Sequence, residues 1–258
     1  MLLCIDIGNT NITLGLYEGK TLGPRWRLAT IHNRMPDEFG IQLIGLLQHV
    51  KIEPKLVECA LIASVVPPLT NKWVQVCQMY LGCTPMVIDS NTKTGVEILI
   101  DKPSEAGADR IVNAAAAYRL YGGPACIVDF GTATTFDALS AEGEYLGGAI
   151  APGIGIASDA LFQRAAKLPK VDLKPPPAPI GKNTIHAMQS GLLYGYVGLI
   201  EGMVARFRKE LGPEMKVIAT GGLAELFAQE TDVIEIVAPW LMLDGLRMIY
   251  EMNVSQES

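Results

Sequence analysis

Long apolar runs, basic blocks and paired cysteines are all missing from this 258-residue chain. No stretch approaches the roughly 18 apolar residues that a membrane span needs. The most apolar long window, Gly191 to Ile200, ends at Glu201 and reads as a buried helix. No more than two Lys or Arg residues stand side by side and the net charge is -6, so neither nucleic acid nor a membrane is expected as a partner. The five cysteines are an odd number without C-x-x-C spacing, and the three histidines are scattered, which argues against a disulfide framework or a zinc site. Reduced thiols point to a cytoplasmic protein. A basic n-region is lacking and Asp6 interrupts the first apolar run, so no signal peptide is expected. The P-loop pattern and the protein kinase set are absent as well.

What is present is a chain with 49% hydrophobic and 19% charged residues, the balance of a compact protein able to bury one large core or two modest ones. Its most informative segment is Asp6-Ile7-Gly8-Asn9-Thr10-Asn11, which follows an apolar run and places a carboxylate, a glycine and hydroxyl and amide side chains at a strand end. A second such turn, Asp129-Phe130-Gly131-Thr132-Ala133-Thr134-Thr135, comes about half a chain later. Phosphates attract backbone N–H groups, hydroxyls and metal ions. A carboxylate beside phosphate makes sense with a cation between them, Mg²⁺ in the case of Asp6. The same residues also fit ordinary hairpin turns, since Gly-Asn favours turns and Thr favours strands. Two copies in one chain strengthen the phosphate reading of each and predict two related domains closing on one nucleotide.

The rest of the pattern supports a repeat. Leu2 to Ile7 reads as a buried strand, Thr13 to Tyr17 as its partner and Arg25 to Thr30 as a third strand, with a turn at Glu18-Gly19-Lys20. A helix is predicted from Pro36, a strand over Cys59 to Val66 ended by Pro67-Pro68, helical character over Asn71 to Tyr80, and a short strand at Met86 to Ile88. Ile111 to Leu120 reads as a helix with an acid at its start and Gly122-Gly123 at its end. The second half repeats the plan. Ala125 to Asp129 is a strand, Gly131 to Thr135 a turn, Phe136 to Leu139 a returning strand, Glu142-Gly143-Glu144 a hairpin and Leu146 to Ile150 a further strand. The domain boundary is expected near Gly122 to Pro124, dividing the chain into residues 1–122 and 123–258. Lys167 to Lys182, with five prolines, is expected to be a surface loop, and Asn183-Thr184 to cap a long helix toward Lys209. A strand at Lys216 to Ala219 then leads into Gly221-Gly222, and Leu241 to Glu251 closes with a helix.

Asp109-Arg110 stands where a helix begins. The acid fits a helix cap; it equally fits a group that takes a proton from an attacking hydroxyl, with Arg110 gripping an anion. Gly147-Gly148 and Pro152-Gly153-Ile154-Gly155 fit tight packing between domains or subunits rather than chemistry. Gly221-Gly222 fits either an adenine against backbone or a plain turn.

Taken together, Asp6–Asn11, Gly107–Ala114, Asp129–Thr135, Gly148–Gly153 and Gly181–Thr184, in this order and spacing, resemble type III pantothenate kinase, a family of the actin-like and sugar-kinase superfamily. The resemblance runs from Met1 to about Tyr250. It implies an α/β fold of two ribonuclease-H-like, actin-like ATPase domains, each a mixed sheet flanked by helices, with an interdomain cleft. It also implies ATP-dependent phosphorylation of pantothenate to 4'-phosphopantothenate by a cytoplasmic homodimer. In its terms Asp6, Ile7, Gly8, Asn9, Thr10, Asn11, Ile12, Thr13 and Thr132 hold ATP, with Mg²⁺ near Asp6. Asp109 is the proton acceptor, and Gly107, Ala108, Asp109, Arg110 and Thr184 line the pantothenate site, Thr184 across the subunit interface. Asp129 binds a monovalent cation, K⁺ or NH₄⁺. Many members carry a tyrosine nine residues before the catalytic acid; here that position is Ile100, which packs against the gem-dimethyl group but donates no hydrogen bond. The rival readings are another small-molecule kinase or phosphatase of the superfamily, a regulatory homologue without activity, and a nucleotide-gated polymer.

Overall fold

The computed structural model describes Met1–Val254. In chain order the elements are β1 (Leu2–Ile7), β2 (Asn11–Glu18), β3 (Thr21–Ala29), α1 (Pro36–His49), β4 (Cys59–Ser64), α2 (Pro67–Val76), β5 (Met86–Val87), β6 (Glu97–Ile98) and α3 (Ala108–Tyr121). Then follow β7 (Ala125–Phe130), β8 (Ala133–Leu139), β9 (Glu144–Pro152), α4 (Ile154–Arg164), α5 (Thr184–Leu211), β10 (Lys216–Gly221), α6 (Ala224–Ala228), β11 (Ile236–Val237) and α7 (Leu241–Val254). They form two compact units. The first comprises Met1–Glu97, Asp101–Leu120 and the chain from Leu241; the second comprises Ile98–Ile100 and Tyr121–Trp240.

The first unit is built on a five-stranded sheet of order β3-β2-β1-β4-β5. β1 pairs antiparallel with β2, Asp6 opposite Thr13, and parallel with β4, Asp6 beside Ala63. Alternation along β1 sends Leu3, Ile5 and Ile7 into a core with Phe39, Leu43 and Leu47 of α1 and Leu69, Trp73 and Val76 of α2. Cys4, and by the same alternation Asp6, face the other way, toward the side on which α7 packs against β1. There the Tyr17 hydroxyl donates to Asp244 at 2.7 Å and the Arg247 guanidinium lies 5.5 Å over the Tyr17 ring. Gly245 brings α7 close to α3, since a Cβ on it would lie 2.5 Å from the Val112 carbonyl oxygen.

The second unit has a six-stranded sheet, β11-β10-β7-β8-β9-β6. Read from β9 it repeats the first sheet strand for strand, with β6 added at its edge. β7 again pairs antiparallel with its successor, Asp129 opposite Thr135, and parallel with β10, Asp129 beside Thr220. Burial follows the same pattern along β1 and β7, buried at every position but Asp6 and Asp129. Cys126, Val128 and Phe130 join Met188, Leu192 and Val197 of α5 in the core.

Several boundaries differ from expectation. β4 ends at Ser64, short of Pro67-Pro68, which instead opens α2, because proline lacks the N–H that a helix start leaves unpaired anyway. Helical character over Asn71 to Tyr80 is present, but it changes type: α2 ends at Val76 and Cys77–Leu81 continues it as a π-helix. Thr134 and Thr135 belong to β8 rather than to the turn, in keeping with the β preference of threonine. α4 was hidden by the glycines around Ile154; Gly153 is extended and precedes the helix instead of interrupting it. The expected division at residues 122 and 123 places α7 with the second half of the chain, whereas α7 groups with the first unit through its packing on β1, β4 and β2.

Candidate active site

The expected site residues fall in both units. Asp6–Thr13 and Gly107–Arg110 belong to the first, and Ile100, Asp129, Thr132 and Thr184 to the second.

In the first unit, the turn between β1 and β2 is closed by the Gly8 N–H donating to the Asn11 carbonyl at 3.0 Å. Thr30, just past β3, braces it from outside: its N–H donates to the Thr10 carbonyl at 2.9 Å and its hydroxyl to the Gly8 carbonyl at 2.7 Å. On the other side the Val65 N–H donates to the Ile7 carbonyl at 3.1 Å. The chain at the end of β1 is thus pinned by neighbours on both sides. Thr30 carries no local signal in the sequence, because its partners lie 20 or more residues away.

Asp109 sits in the first turn of α3. Its Oδ1 accepts from the Arg110 N–H at 2.8 Å and folds back to within 2.5 Å of where a Cβ on Gly107 would stand, so a side chain there would displace it. Burial pushes the Asp109 carboxyl above the ordinary aspartate range. The Arg110 N–H and the Arg110 charge both favour the ionised form and are outweighed. A half-buried carboxylate with raised proton affinity, held by its own helix start, is suited to accept a proton from a weakly acidic group.

In the second unit, Asp129 ends β7 beside two glycines. Its Oδ1 lies 2.5 Å from the Cβ position of Gly221, a residue at φ +89°, and 3.7 Å from that of Gly131. Any side chain at Gly221 would strike this carboxylate. The following turn is closed by the Gly131 N–H to the Ala133 carbonyl at 3.0 Å, and the Gly153 N–H donates to the Thr132 carbonyl at 3.1 Å. Gly153 stands so close that a Cβ on it would lie 2.2 Å from the Thr132 oxygen, a close approach within the second unit.

Thr184 opens α5, whose N-cap Asn183 accepts from the His186 N–H at 2.9 Å. The proline-rich segment before it has neither helix nor strand and is tied to α5 by Gln189, whose Nε2 donates to the Asp172 carbonyl at 3.0 Å. Gly181–Thr184, Ala187, Met188, Gly191 and Leu192, with Leu161 and Leu168, line an open cavity of about 730 Å³. Its apolar part was not foreseen, because α4 was not. Ile100 lies beside β9, its Cγ2 3.3 Å from the Cβ position of Gly147.

Among the described residues no three His, Cys, Asp or Glu side chains converge as a metal-binding group, and no helix is long and apolar enough to cross a membrane.

Comparisons with known proteins bear on this geometry. The family model for type III pantothenate kinase matches residues 2–206. A type III pantothenate kinase of Roseiflexus castenholzii is 53% identical over 253 residues, covering 98% of this chain and 99% of that protein. One from Moorella thermoacetica is 53% identical over 253 residues, covering 98% and 100%. Among solved structures, a conserved Baf-family protein from Campylobacter jejuni, described as a candidate transcriptional activator, superposes with a TM-score of 0.63 at 21% identity, covering 98% of this chain and 99% of that one. A candidate 2-dehydro-3-deoxygalactonokinase from Sinorhizobium meliloti gives 0.61 at 13% identity, covering 98% and 96%. At such identities the structural likeness speaks for a shared fold alone.

Proposed function

The chain belongs to the type III pantothenate kinase family, and we propose that Asp109 is the residue through which it phosphorylates its substrate. The reaction transfers the γ-phosphoryl group of ATP to the primary alcohol of pantothenate, giving 4'-phosphopantothenate in the first step toward coenzyme A. Phosphoryl transfer asks little covalent chemistry of a protein; it asks for alignment and charge neutralisation. Asp109 orients the alcohol and takes its proton as the new bond forms, since an alkanol is too weak an acid to lose it earlier. Gly107, Ala108 and Arg110 line the pantothenate site, with Arg110 on the anionic end of the substrate.

The first turn, Asp6 to Thr13, holds ATP by its backbone and short polar side chains, and Thr132 serves the same nucleotide. A divalent metal enters with ATP and neutralises triphosphate charge. Mg²⁺ prefers oxygen ligands and keeps phosphate and water in its shell, so a single carboxylate, Asp6, is a fitting protein partner. Asp129 holds a monovalent cation, K⁺ or NH₄⁺; the close approach of its carboxylate to Gly221, where no side chain fits, supports a fixed oxygen ligand there. Thr184 belongs to a pantothenate site completed across a homodimer interface, and the enzyme works in the cytoplasm. Ile100 contributes apolar contact only.

The observation that carries the assignment is the coincidence of a half-buried carboxylate of raised proton affinity with the Gly107–Arg110 helix start in a chain of this family. Asp109→Asn tests it. Turnover is expected to fall by about 10²–10⁴, the usual worth of a general base, while ATP still binds. Near-normal turnover in that variant would remove Asp109 from the mechanism.

A further inference from the structure

Two turns of the same design close the first hairpin of each unit, and they are braced differently. In both, the residue after the third strand donates its N–H to a carbonyl of the turn: Thr30 to Thr10 at 2.9 Å, and Gly153 to Thr132 at 3.1 Å. Thr30 and Gly153 occupy matching places, each 24 residues past the acid of its turn, Asp6 and Asp129 respectively. At Gly153 a side chain is excluded, because its Cβ would stand 2.2 Å from the Thr132 oxygen and 2.8 Å from the Gly131 oxygen. At Thr30 there is room, and the hydroxyl donates to the Gly8 carbonyl at 2.7 Å. The Thr30 hydroxyl thus adds a side-chain bond to the backbone brace that both turns share.

That extra bond has a directional consequence. Among the described residues the only cis peptide bond is Gly123-Pro124, so the Gly8–Asn9 peptide is trans. In a planar trans peptide the C=O and the following N–H point in opposite directions. Holding the Gly8 carbonyl toward Thr30 therefore turns the Asn9 N–H away from Thr30. The Gly8 N–H, donated to Asn11 at 3.0 Å, anchors the preceding peptide, and the Gly8–Asn9 peptide cannot flip without losing the bond from the Thr30 hydroxyl. A backbone N–H held in a fixed direction binds an anion better than one that must first be oriented, since the ordering has been done on folding.

We propose that Thr30 is a positioning residue for ATP, whose hydroxyl fixes the Gly8–Asn9 peptide so that its N–H faces the phosphates. This rests on the reading that the Asp6–Thr13 turn holds the nucleotide. Thr30 touches neither substrate nor the reacting atoms; it acts through the turn. Its loss weakens binding of ATP in the ground and transition states alike, which raises KM for ATP and leaves kcat in place.

The test compares Thr30→Val, which keeps the branched shape without the hydroxyl, with Thr30→Ser, which keeps the hydroxyl without the methyl. Asp6→Asn serves as the control on the turn. Steady-state kinetics for both substrates and thermal melts are measured on each. The expected result is a rise in KM for ATP of about 3- to 10-fold for Thr30→Val, the weight of one net hydrogen bond. KM for pantothenate and kcat stay within about twofold in that variant, and Thr30→Ser stays within about twofold in all three constants. If Asp6→Asn raises KM for ATP and Thr30→Val does not, the role of Thr30 is overturned and the ATP role of the turn stands. If Thr30→Val lowers the melting temperature and disturbs both KM values alike, or if Thr30→Ser behaves as Thr30→Val does, the side chain is structural only and the proposal is overturned. If neither Asp6→Asn nor Thr30→Val alters KM for ATP, the ATP reading of the turn itself fails.

Discussion

The Asp109 carboxyl illustrates how burial sets both reactivity and its cost in stability. Its proton affinity is raised mainly by desolvation, against the Arg110 N–H and the Arg110 charge. As a base it works only when ionised, so activity is expected to fall as pH drops through the raised value, and the acid limb of kcat/KM is expected above the ordinary aspartate range. The stability consequence has the opposite sense. A carboxyl whose folded pKa exceeds its unfolded one contributes stability below the unfolded value and loses it as pH rises through the folded one. Asp109→Asn is therefore expected to melt higher than the parent protein at neutral pH, with the difference vanishing at pH values below the unfolded pKa. Equal melting temperatures at neutral pH would contradict the burial argument. At this scale the sequence is legible where chemistry is local. Asp6, Asp109 and Asp129 each stand beside glycine at an element end, and that short pattern can be read directly. Thr30 and the close approach of Gly153 to Thr132 depend on strands that meet only in the fold, so no local pattern marks them.

At the scale of elements, the strands were the most legible, because buried apolar runs bounded by turn residues leave few alternatives. The hairpin registers follow from the turns: the Gly8 N–H to Asn11 and the Gly131 N–H to Ala133 close loops that set Asp6 opposite Thr13 and Asp129 opposite Thr135. α5 was equally plain, since Asn183 gives a capping signal that its side chain fulfils at the His186 N–H. Asn183→Ala is expected to cost about 1 kcal/mol of stability, read as a lower denaturant midpoint. Because Asn183 also lines the cavity beside Thr184, a rise in KM for pantothenate is expected with it, whereas KM for ATP is not expected to change. α4 was obscured because glycine reads as a breaker, while Gly153 is outside the helix and Gly155 is tolerated within it. α7 carries a constraint of its own. Gly245 lies against Val112 and Ala116 of α3, so Gly245→Ala is expected to destabilise by about 1–3 kcal/mol through overpacking, and the same melts check it.

At the scale of the molecule, the two sheets share one strand order apart from β6, and in each the acid of the turn stands opposite a threonine, with the second turn one residue shorter. Sequence identity between the halves is thin, so the repeat is carried by the order of elements and by the shared burial pattern of β1 and β7. The placement of α7 with the first unit was not legible, because an apolar helical stripe does not say which sheet it will cover. A monovalent cation at Asp129 predicts that replacing K⁺ by Na⁺ lowers turnover, and that Asp129→Asn abolishes the difference between the two salts. Equal rates in both salts for the parent enzyme would dismiss the cation role. The central claim is phosphorylation of pantothenate by ATP, and mass spectrometry of the products tests it most directly. Purified protein with ATP, Mg²⁺ and K⁺ is expected to yield 4'-phosphopantothenate and ADP in equal amounts, with ADP release dependent on pantothenate. ADP release that is indifferent to pantothenate, with no phosphorylated vitamin formed, would contradict the account.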